Sequence, residues 1–229
     1  MGSNRREPSV GQASRLLLRK YITQQMELGY REVYLSSSPP GVEATPQAKL
    51  EGLYEGIRDC QRCPLGKTRK NLVFGEGNPQ AELLFVGEAP GADEDRLGRP
   101  FVGRAGQLLN RMLGSIDLAR GDVYIANILK CRPPGNRDPL PSEVALCRPY
   151  LDEQIEIIDP QVICALGRVA AQTLLDTKRS LGELRGFFHL FRGRKLLVTY
   201  HPAALLRNPH LKRPAWEDLK LLRAQLERG

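Results

Sequence analysis

The chain contains four short, continuous apolar runs separated by amphipathic segments. The runs occupy 82–87, 123–129, 162–167 and 195–200. Uninterrupted apolar runs of this length are typical of strands buried on both faces. Helical spacing of apolar residues marks the intervening segments and the C-terminal one, at 103–115, 141–158, 168–175 and 215–227. This alternation predicts an α/β fold, a three-layer αβα sandwich with a central four-stranded parallel sheet.

The first 47 residues have a different pattern. Residues 11–34 place apolar side chains at near-helical spacing among charges, which predicts an amphipathic helix. Residues 36–47 are rich in Ser and Pro, as linkers are. We therefore expect an N-terminal helical extension and linker over 1–47 and the main domain over 48–229.

Polar, Gly and Pro signals collect where the predicted strands end. The first strand runs into the sequence GEAPG at 87–91, and the second carries Asn127 near its end. The third ends at Gly167, and the fourth is followed by His201. Open parallel sheets bind ligands outside the carboxyl ends of their strands, so we expect the functional site at this edge.

Composition indicates a globular, basic protein. The hydrophobic fraction is 41% and the charged fraction 26%, with a net charge of +8. No apolar run is long enough for a membrane span and no secretory signal is evident, so we expect a cytoplasmic protein without membrane partners. Residues 178–213 hold nine Lys or Arg against one acid, Glu183. Such a stretch suits a polyanion such as nucleic acid, although many basic proteins bind none.

The five cysteines favour a metal or cluster site over disulfides, since their number is odd and no secretory signal precedes them. Cys60 and Cys63 form a C-x2-C pair, while Cys131 and Cys147 are widely spaced around a Pro-rich loop. Four thiolates can hold zinc or an iron–sulfur cluster, and the wide second pair favours the cluster slightly. The alternative is a set of unrelated buried cysteines. Cys164 lies in an apolar run and is expected in the core.

Two further motifs carry candidate chemistry. The segment 87–106 places four carboxylates close together in the sequence: Glu88, Asp93, Glu94 and Asp95. They could be metal ligands, bases or hydrogen-bond acceptors, or the segment could be a solvated acidic loop. In the segment HPAALLRNP, 201–209, His201 directly follows a strand and could donate to an oxygen that gains charge. Leu205 and Leu206, beside the cation Arg207, could wedge into a base stack or be ordinary core contacts of a short helix.

Together these motifs resemble family 4 uracil-DNA glycosylases, which contain an iron–sulfur cluster. The resemblance covers roughly residues 52–227 and rests on GEAPG, GRPFVGRAG, ANILKCRPPGNRDP, HPAALLRNP and the four cysteines. It implies hydrolysis of the N-glycosidic bond of deoxyuridine in DNA, releasing uracil, leaving an abasic site and opening base excision repair. The implied partner is uracil-containing DNA, single- or double-stranded, and we expect a monomer.

The resemblance also implies roles for individual residues. A structural 4Fe–4S cluster would be held by Cys60, Cys63, Cys131 and Cys147. Phe101 would stack on the extruded uracil, Asn127 would read its pairing edge, and His201 would hydrogen-bond the carbonyl oxygen of the leaving base. Glu94 would shape the pocket against thymine, and Leu206 and Arg207 would contact DNA. The full uracil-binding set would be Gly87, Glu88, Ala89, Glu94, Phe101, Asn127 and His201.

One position bears on the water-activating group. Many relatives in the wider superfamily have Asp two residues after the motif glycine, where this chain has Ala89, as family 4 does. Glu88 is therefore the first candidate for activating the water, with backbone carbonyls and the DNA phosphate charge as the alternative. No histidine lies between Cys131 and Cys147, so we do not expect the covalent trapping of the base site that one superfamily variant performs. The rival interpretations are a catalytically silent DNA-binding module and an iron–sulfur electron carrier.

Overall fold

The computed structural model describes residues 18–24, 26 and 44–228. Residues 18–24 and 26 are helical, and the rest of the helix predicted over 11–34 lies outside the described residues. From Thr45 onward the chain forms one compact unit. The boundary expected at residue 47 stays a prediction. None of the described helices is long and apolar enough to cross a membrane.

The compact unit alternates strands and helices along the chain. Its strands are β1 (Glu76–Gly77), β2 (Leu83–Gly87), β3 (Tyr124–Asn127), β4 (Val162–Leu166), β5 (Phe188–Phe191) and β6 (Arg194–Thr199). Its α-helices are α1 (Pro46–Ile57), α2 (Ala92–Leu97), α3 (Arg104–Gly114), α4 (Pro141–Ile158), α5 (Arg168–Leu175), α6 (Leu181–Leu184), α7 (Pro202–Arg207) and α8 (Lys212–Leu226). The last helix begins three residues before the predicted start at Ala215.

The sheet has the strand order β1-β3-β2-β4-β6-β5. Its central four strands, β3, β2, β4 and β6, are parallel, as predicted. The sheet is nevertheless mixed and six-stranded, because β1 and β5 add antiparallel edges to β3 and β6. The sheet therefore has two more strands than the four predicted. β1 has only two residues, and β5 is half-buried, so neither forms the continuous apolar run that revealed the central strands.

Successive side chains of the central strands face opposite helical layers, which confirms the three-layer sandwich. Leu84 and Val86 of β2 pack with α1, α4, α5 and α6 on one face of the sheet. Leu83 and Phe85 pack with α3, α7 and α8 on the other face. The parallel strands thus have both faces buried, and their carboxyl ends meet at one edge.

Candidate active site

A cleft of about 500 Å³ opens at the carboxyl ends of the central strands. It brings together most of the residues expected there from the sequence. Those that line it are Glu88, Ala89, Glu94, Phe101, Asn127, His201 and Arg207. The edge expected to carry the site is therefore the edge where the cleft lies.

Phe101 lines this cleft, whereas Gly87 does not line it but lies directly against the Phe101 ring. The Phe101 side chain is 5% exposed, and its ring centroid lies 5.5 Å from that of His201. Gly87 ends β2 beside Asn127, its register partner on β3. A Cβ at Gly87 would lie 2.6 Å from the Phe101 ring and 2.3 Å from Asn127 Oδ1. Only glycine at this position lets the ring and the amide converge.

Asn127 presents a buried acceptor at the end of β3. Its side chain is 2% exposed and lines the cleft. Among the described residues, Asn127 Oδ1 is the one buried side-chain nitrogen or oxygen atom without a hydrogen-bond partner. Leaving a buried acceptor unpaired costs about 1–3 kcal/mol, so such an atom in a cleft indicates a ligand with a matching donor.

His201 caps helix α7 with its own imidazole. The backbone N–H of Ala203 donates to His201 Nδ1 at 3.1 Å. Because Nδ1 accepts, the proton of the neutral ring is on Nε2. Burial, with the nearby Arg207 charge, lowers the pKa of His201 to about 4, although Glu94 opposes this shift. The site therefore holds a neutral imidazole with an Nε2–H donor.

Glu88 lies in the cleft next to a surface ion pair. Burial and the nearby Asp138 carboxylate raise the pKa of Glu88, and Arg168 works against this shift. Arg168 Nη2 and Asp138 Oδ2 are 2.7 Å apart. An ionised carboxylate with a raised pKa is a better proton acceptor than an ordinary one.

The four carboxylates of the acidic motif do not converge. Glu94 accepts hydrogen bonds from three backbone amides, those of Gly91 at 3.2 Å and of Val102 and Gly103 at 2.9 Å. The buried Asp95 accepts from Lys70 N at 2.9 Å, while Asp93 pairs with Arg96 at the surface. Glu94 therefore joins the turn after β2 to the segment that carries Phe101, and the motif has the geometry of hydrogen-bond acceptors.

Four of the five cysteines line a single cavity. Cys60 and Cys63 follow α1, Cys131 follows β3, and Cys147 lies on α4. Arg69 Nη1 donates to Cys131 Sγ at 3.2 Å, and the backbone N–H of Lys130 donates to Cys147 Sγ at 3.3 Å. Cys164 is fully buried in β4, as expected. Within the described ranges, no three His, Cys, Asp or Glu side chains are grouped as ligands of a single metal ion.

A buried lysine connects the cysteine cavity to the cleft. Lys130 is 1% exposed, and its Nζ donates to Asn127 O at 3.0 Å and to Gln154 Oε1 at 2.5 Å. Gln154 Nε2 in turn donates to Phe74 O at 3.0 Å. The end of β3 is therefore held from inside the core, between the cysteine cavity and the cleft.

The segment after His201 divides between core and surface. Leu205 is 2% exposed and belongs to the core, so the wedge interpretation does not apply to it. Leu206 is half-buried, and Arg207 is exposed on the rim of the cleft. Several cations of the basic stretch are engaged by acids of the same unit: Arg179 with Glu183, Arg185 with Asp218, Arg192 with Asp152, and Arg194 with Asp159. The stretch is therefore not one free cationic face.

Several lining residues were not given individual roles from the sequence, although their segments were noted. The loop after Cys131 contributes Pro133, Asn136, Arg137 and Asp138, and the turn after β4 contributes Gly167 and Arg168. Gly167 has a φ of 91°, and a Cβ there would lie 2.9 Å from His201 Cβ. The Pro-rich composition of the loop and the strand-end position of Gly167 were the signals that could have identified them.

The chain is similar to known proteins over most of its length. Residues 74–220 match the family model described as the uracil DNA glycosylase superfamily. The type-4 uracil-DNA glycosylase of Pyrobaculum aerophilum is 47% identical over 75% of this chain and 92% of the relative. That of Archaeoglobus fulgidus is 48% identical over 75% and 90%, and that of Thermotoga maritima is 46% identical over 77% and 94%.

Proposed function

Since this chain belongs to the type-4 uracil-DNA glycosylases of the uracil DNA glycosylase superfamily, we propose that it hydrolyses the N-glycosidic bond of deoxyuridine in DNA. The products are free uracil and an abasic site, which is the first step of base excision repair. The target bond is inside the base stack, so the nucleotide has to be flipped into the cleft.

The unpaired Asn127 Oδ1 is the observation that supports uracil most directly. Uracil has an N–H at ring position 3, whereas cytosine has a bare acceptor there. An amide oxygen at the end of β3 pairs with uracil in this way and repels cytosine, while the amide N–H2 can donate to the neighbouring carbonyl. Phe101 offers its ring for stacking, a contact worth about 1–3 kcal/mol per base. Binding thus satisfies an acceptor that is otherwise orphaned.

His201 supplies the donor for the departing base. As the bond between C1′ and N1 lengthens, the sugar gains positive charge and uracil gains negative charge on its carbonyl oxygen. A neutral imidazole with its proton on Nε2 donates to that oxygen without giving the proton up. Such a donor is worth about 3–4 kcal/mol when charge develops in a water-excluded site. The N-cap contact with Ala203 keeps the ring in the required tautomer.

Glu88 is proposed as the group that receives the proton of the attacking water. The ionised carboxylate also stabilises the positive sugar electrostatically. Ala89 and Glu94 also line the cleft. We propose that Ala89 leaves room for the base and that the turn fixed by Glu94 faces the 5-position of the bound uracil. A thymine methyl would have to displace this turn. In our proposal, the rejection of thymine arises here.

We further propose that Cys60, Cys63, Cys131 and Cys147 hold a 4Fe–4S cluster. Four thiolates can hold a zinc ion or an iron–sulfur cluster, and the four thiols of this chain share one cavity. N–H donors to Cys131 and Cys147 suit thiolate ligands. The cluster, when bound, would cross-link the segment after α1 to the end of β3 and to α4.

Contacts to DNA are proposed for Leu206 and Arg207. Arg207 is exposed at the rim, where a phosphate next to the flipped nucleotide would lie. Leu206 lies beside it on α7 and could fill the space vacated in the stack.

The test is excision from an oligonucleotide with one uracil, followed by alkaline cleavage of abasic sites. The wild type is compared with Asn127→Ala and with His201→Asn, which keeps an acceptor for the Ala203 amide but removes the imidazole. We expect scission at uracil and not at thymine, and a loss of about 10²–10³-fold in kcat for His201→Asn. Absence of scission from a folded, iron-loaded wild type would refute the proposal.

A further inference from the structure

Phe101, the proposed stacking residue, has a backbone conformation that its own side chain disfavours. Its φ is 51°, in the left-handed region that non-glycine residues rarely occupy. Such a conformation persists only where the surroundings enforce it. The ring reaches the cleft from this backbone, so what holds the backbone also sets the position of the ring.

Arg120, which lies outside the cleft, hydrogen-bonds this backbone. Its Nη2 donates to Pro100 O at 2.7 Å and its Nη1 to Phe101 O at 3.1 Å. The planar guanidinium thus binds two consecutive carbonyls with two nitrogens, which the single ammonium of lysine does not reproduce. Arg120 is in the loop between α3 and β3 and does not line the cleft.

Further contacts hold Arg120 and the turn in place, and among them Arg120 Nη1 also donates to Asn110 Oδ1 of α3 at 3.3 Å. The guanidinium of Arg120 is 3.8 Å from the Glu76 carboxylate and is itself half-buried. Helix α3 also approaches the same carbonyl closely, since a Cβ at Gly106 would lie 1.8 Å from Phe101 O. The turn carbonyls are therefore bound by the Arg120 guanidinium and packed against helix α3.

We propose that Arg120 is a positioning residue for base stacking, which holds Phe101 in its left-handed conformation so that the ring faces the flipped uracil. The inference rests on the proposed function, because it takes the Phe101 ring as the stacking surface. It requires that the loss of the two hydrogen bonds to the turn carbonyls weakens uracil binding only through the position of Phe101.

A double-mutant cycle on the full-length, cluster-loaded protein tests this requirement. The variants are Arg120→Met, Phe101→Ala and their combination, assayed for KM and kcat on uracil DNA and for inhibition by free uracil. The matched control is Arg99→Met, since Arg99 also binds Glu76, at 2.7 Å, but is exposed and does not contact the turn carbonyls through any described hydrogen bond. Arg120→Lys, which keeps the charge but not the fork, serves if Arg120→Met fails to fold.

We expect Arg120→Met to raise KM and the inhibition constant of uracil about tenfold, and Arg99→Met to change neither by more than about twofold. In the Phe101→Ala background, Arg120→Met should have no further effect, because coupled residues are not additive. Multiplying effects in the double variant, or an Arg120→Met that behaves like Arg99→Met, would overturn the inference. If Phe101→Ala itself leaves uracil kinetics unchanged, the proposed role of Phe101 fails instead.

Discussion

At the scale of single residues, the site depends on glycines, because the absence of their side chains lets neighbouring side chains approach one another closely. Gly87 lets Phe101 and Asn127 lie next to each other, and Gly167 leaves the space that the His201 side chain occupies. The sequence predicted that Gly87, Asn127 and His201 would lie at strand ends, because the strand ends themselves were evident. It could not predict that Asn127 Oδ1 is left unpaired, since this depends on every neighbouring donor in three dimensions.

Substituting Gly87 by Ala should damage the site and leave the fold intact. The added Cβ would lie 2.3 Å from Asn127 Oδ1, so the amide must move from the position in which we propose that it pairs with uracil. We expect kcat/KM on uracil DNA to fall at least tenfold. Gly56→Ala is the matched control, because a Cβ on this residue of α1 meets nothing within 4 Å. Equal activity of the two variants would contradict this account of Gly87.

The pH dependence of activity should show no histidine inflection near 6.5. The pKa of His201 is lowered to about 4, so the ring stays neutral through the range in which an ordinary histidine titrates. The unfolded chain binds a proton on His201 below about pH 6.5 and the folded chain does not. The free energy of unfolding should therefore decrease as pH falls from about 6.5 to 4, and less so in His201→Asn. Profiles of kcat/KM and chemical denaturation measure the two effects.

At the scale of elements, the short helix α2 acts through the carboxylate in its first turn. Glu94 caps α2 by accepting from Gly91 N and reaches across to the amides of Val102 and Gly103. Its proximity to other acids in the sequence left several roles open, and spacing could not decide among them, because the amides come from a segment eight and nine residues away. Likewise, the central strands were predicted from their apolar runs, while the edge strands were not.

Replacing Glu94 by Ala should destabilise the protein and weaken uracil binding together. Three backbone N–H groups lose their acceptor, and each one that stays buried and unpaired costs about 1–3 kcal/mol. We expect a lower Tm and a higher KM, measured by thermal unfolding and excision kinetics. Glu55→Ala removes an exposed carboxylate, 59% accessible and paired with Arg58, and should change Tm little. An unchanged Tm for Glu94→Ala would show that water satisfies the three amides.

At the scale of the whole molecule, net charge is a poor guide to the surface that meets DNA. The stretch over 178–213 is strongly basic in sequence. Four of its arginines nevertheless form ion pairs with acids of α4, α6 and α8 and of the residue after α4. Sequence alone locates the charges but cannot show which of them are already paired. Arg207 remains on the rim of the cleft, with no ion pair among the described residues.

The salt dependence of DNA binding should separate these two kinds of arginine. Arg207→Ala removes a proposed phosphate contact, so affinity should fall and the slope of log K against log salt should decrease by about 1. Arg192→Ala removes a cation 3.1 Å from Asp152 and should leave the slope unchanged. Titrations of a fluorescent oligonucleotide at several salt concentrations give both slopes. A slope change in Arg192→Ala alone would place the DNA on the opposite surface.

The origin of the four cavity cysteines in three separate chain segments has a consequence for biosynthesis. Cys60 and Cys63 leave the ribosome early, whereas Cys147 belongs to α4 and emerges only after β2 and β3 have been made. For the proposed cluster, a complete set of ligands therefore exists only once the chain has been synthesised through Cys147. Cofactor delivery becomes a late maturation step, and the first two thiols have to be kept reduced until their partners arrive.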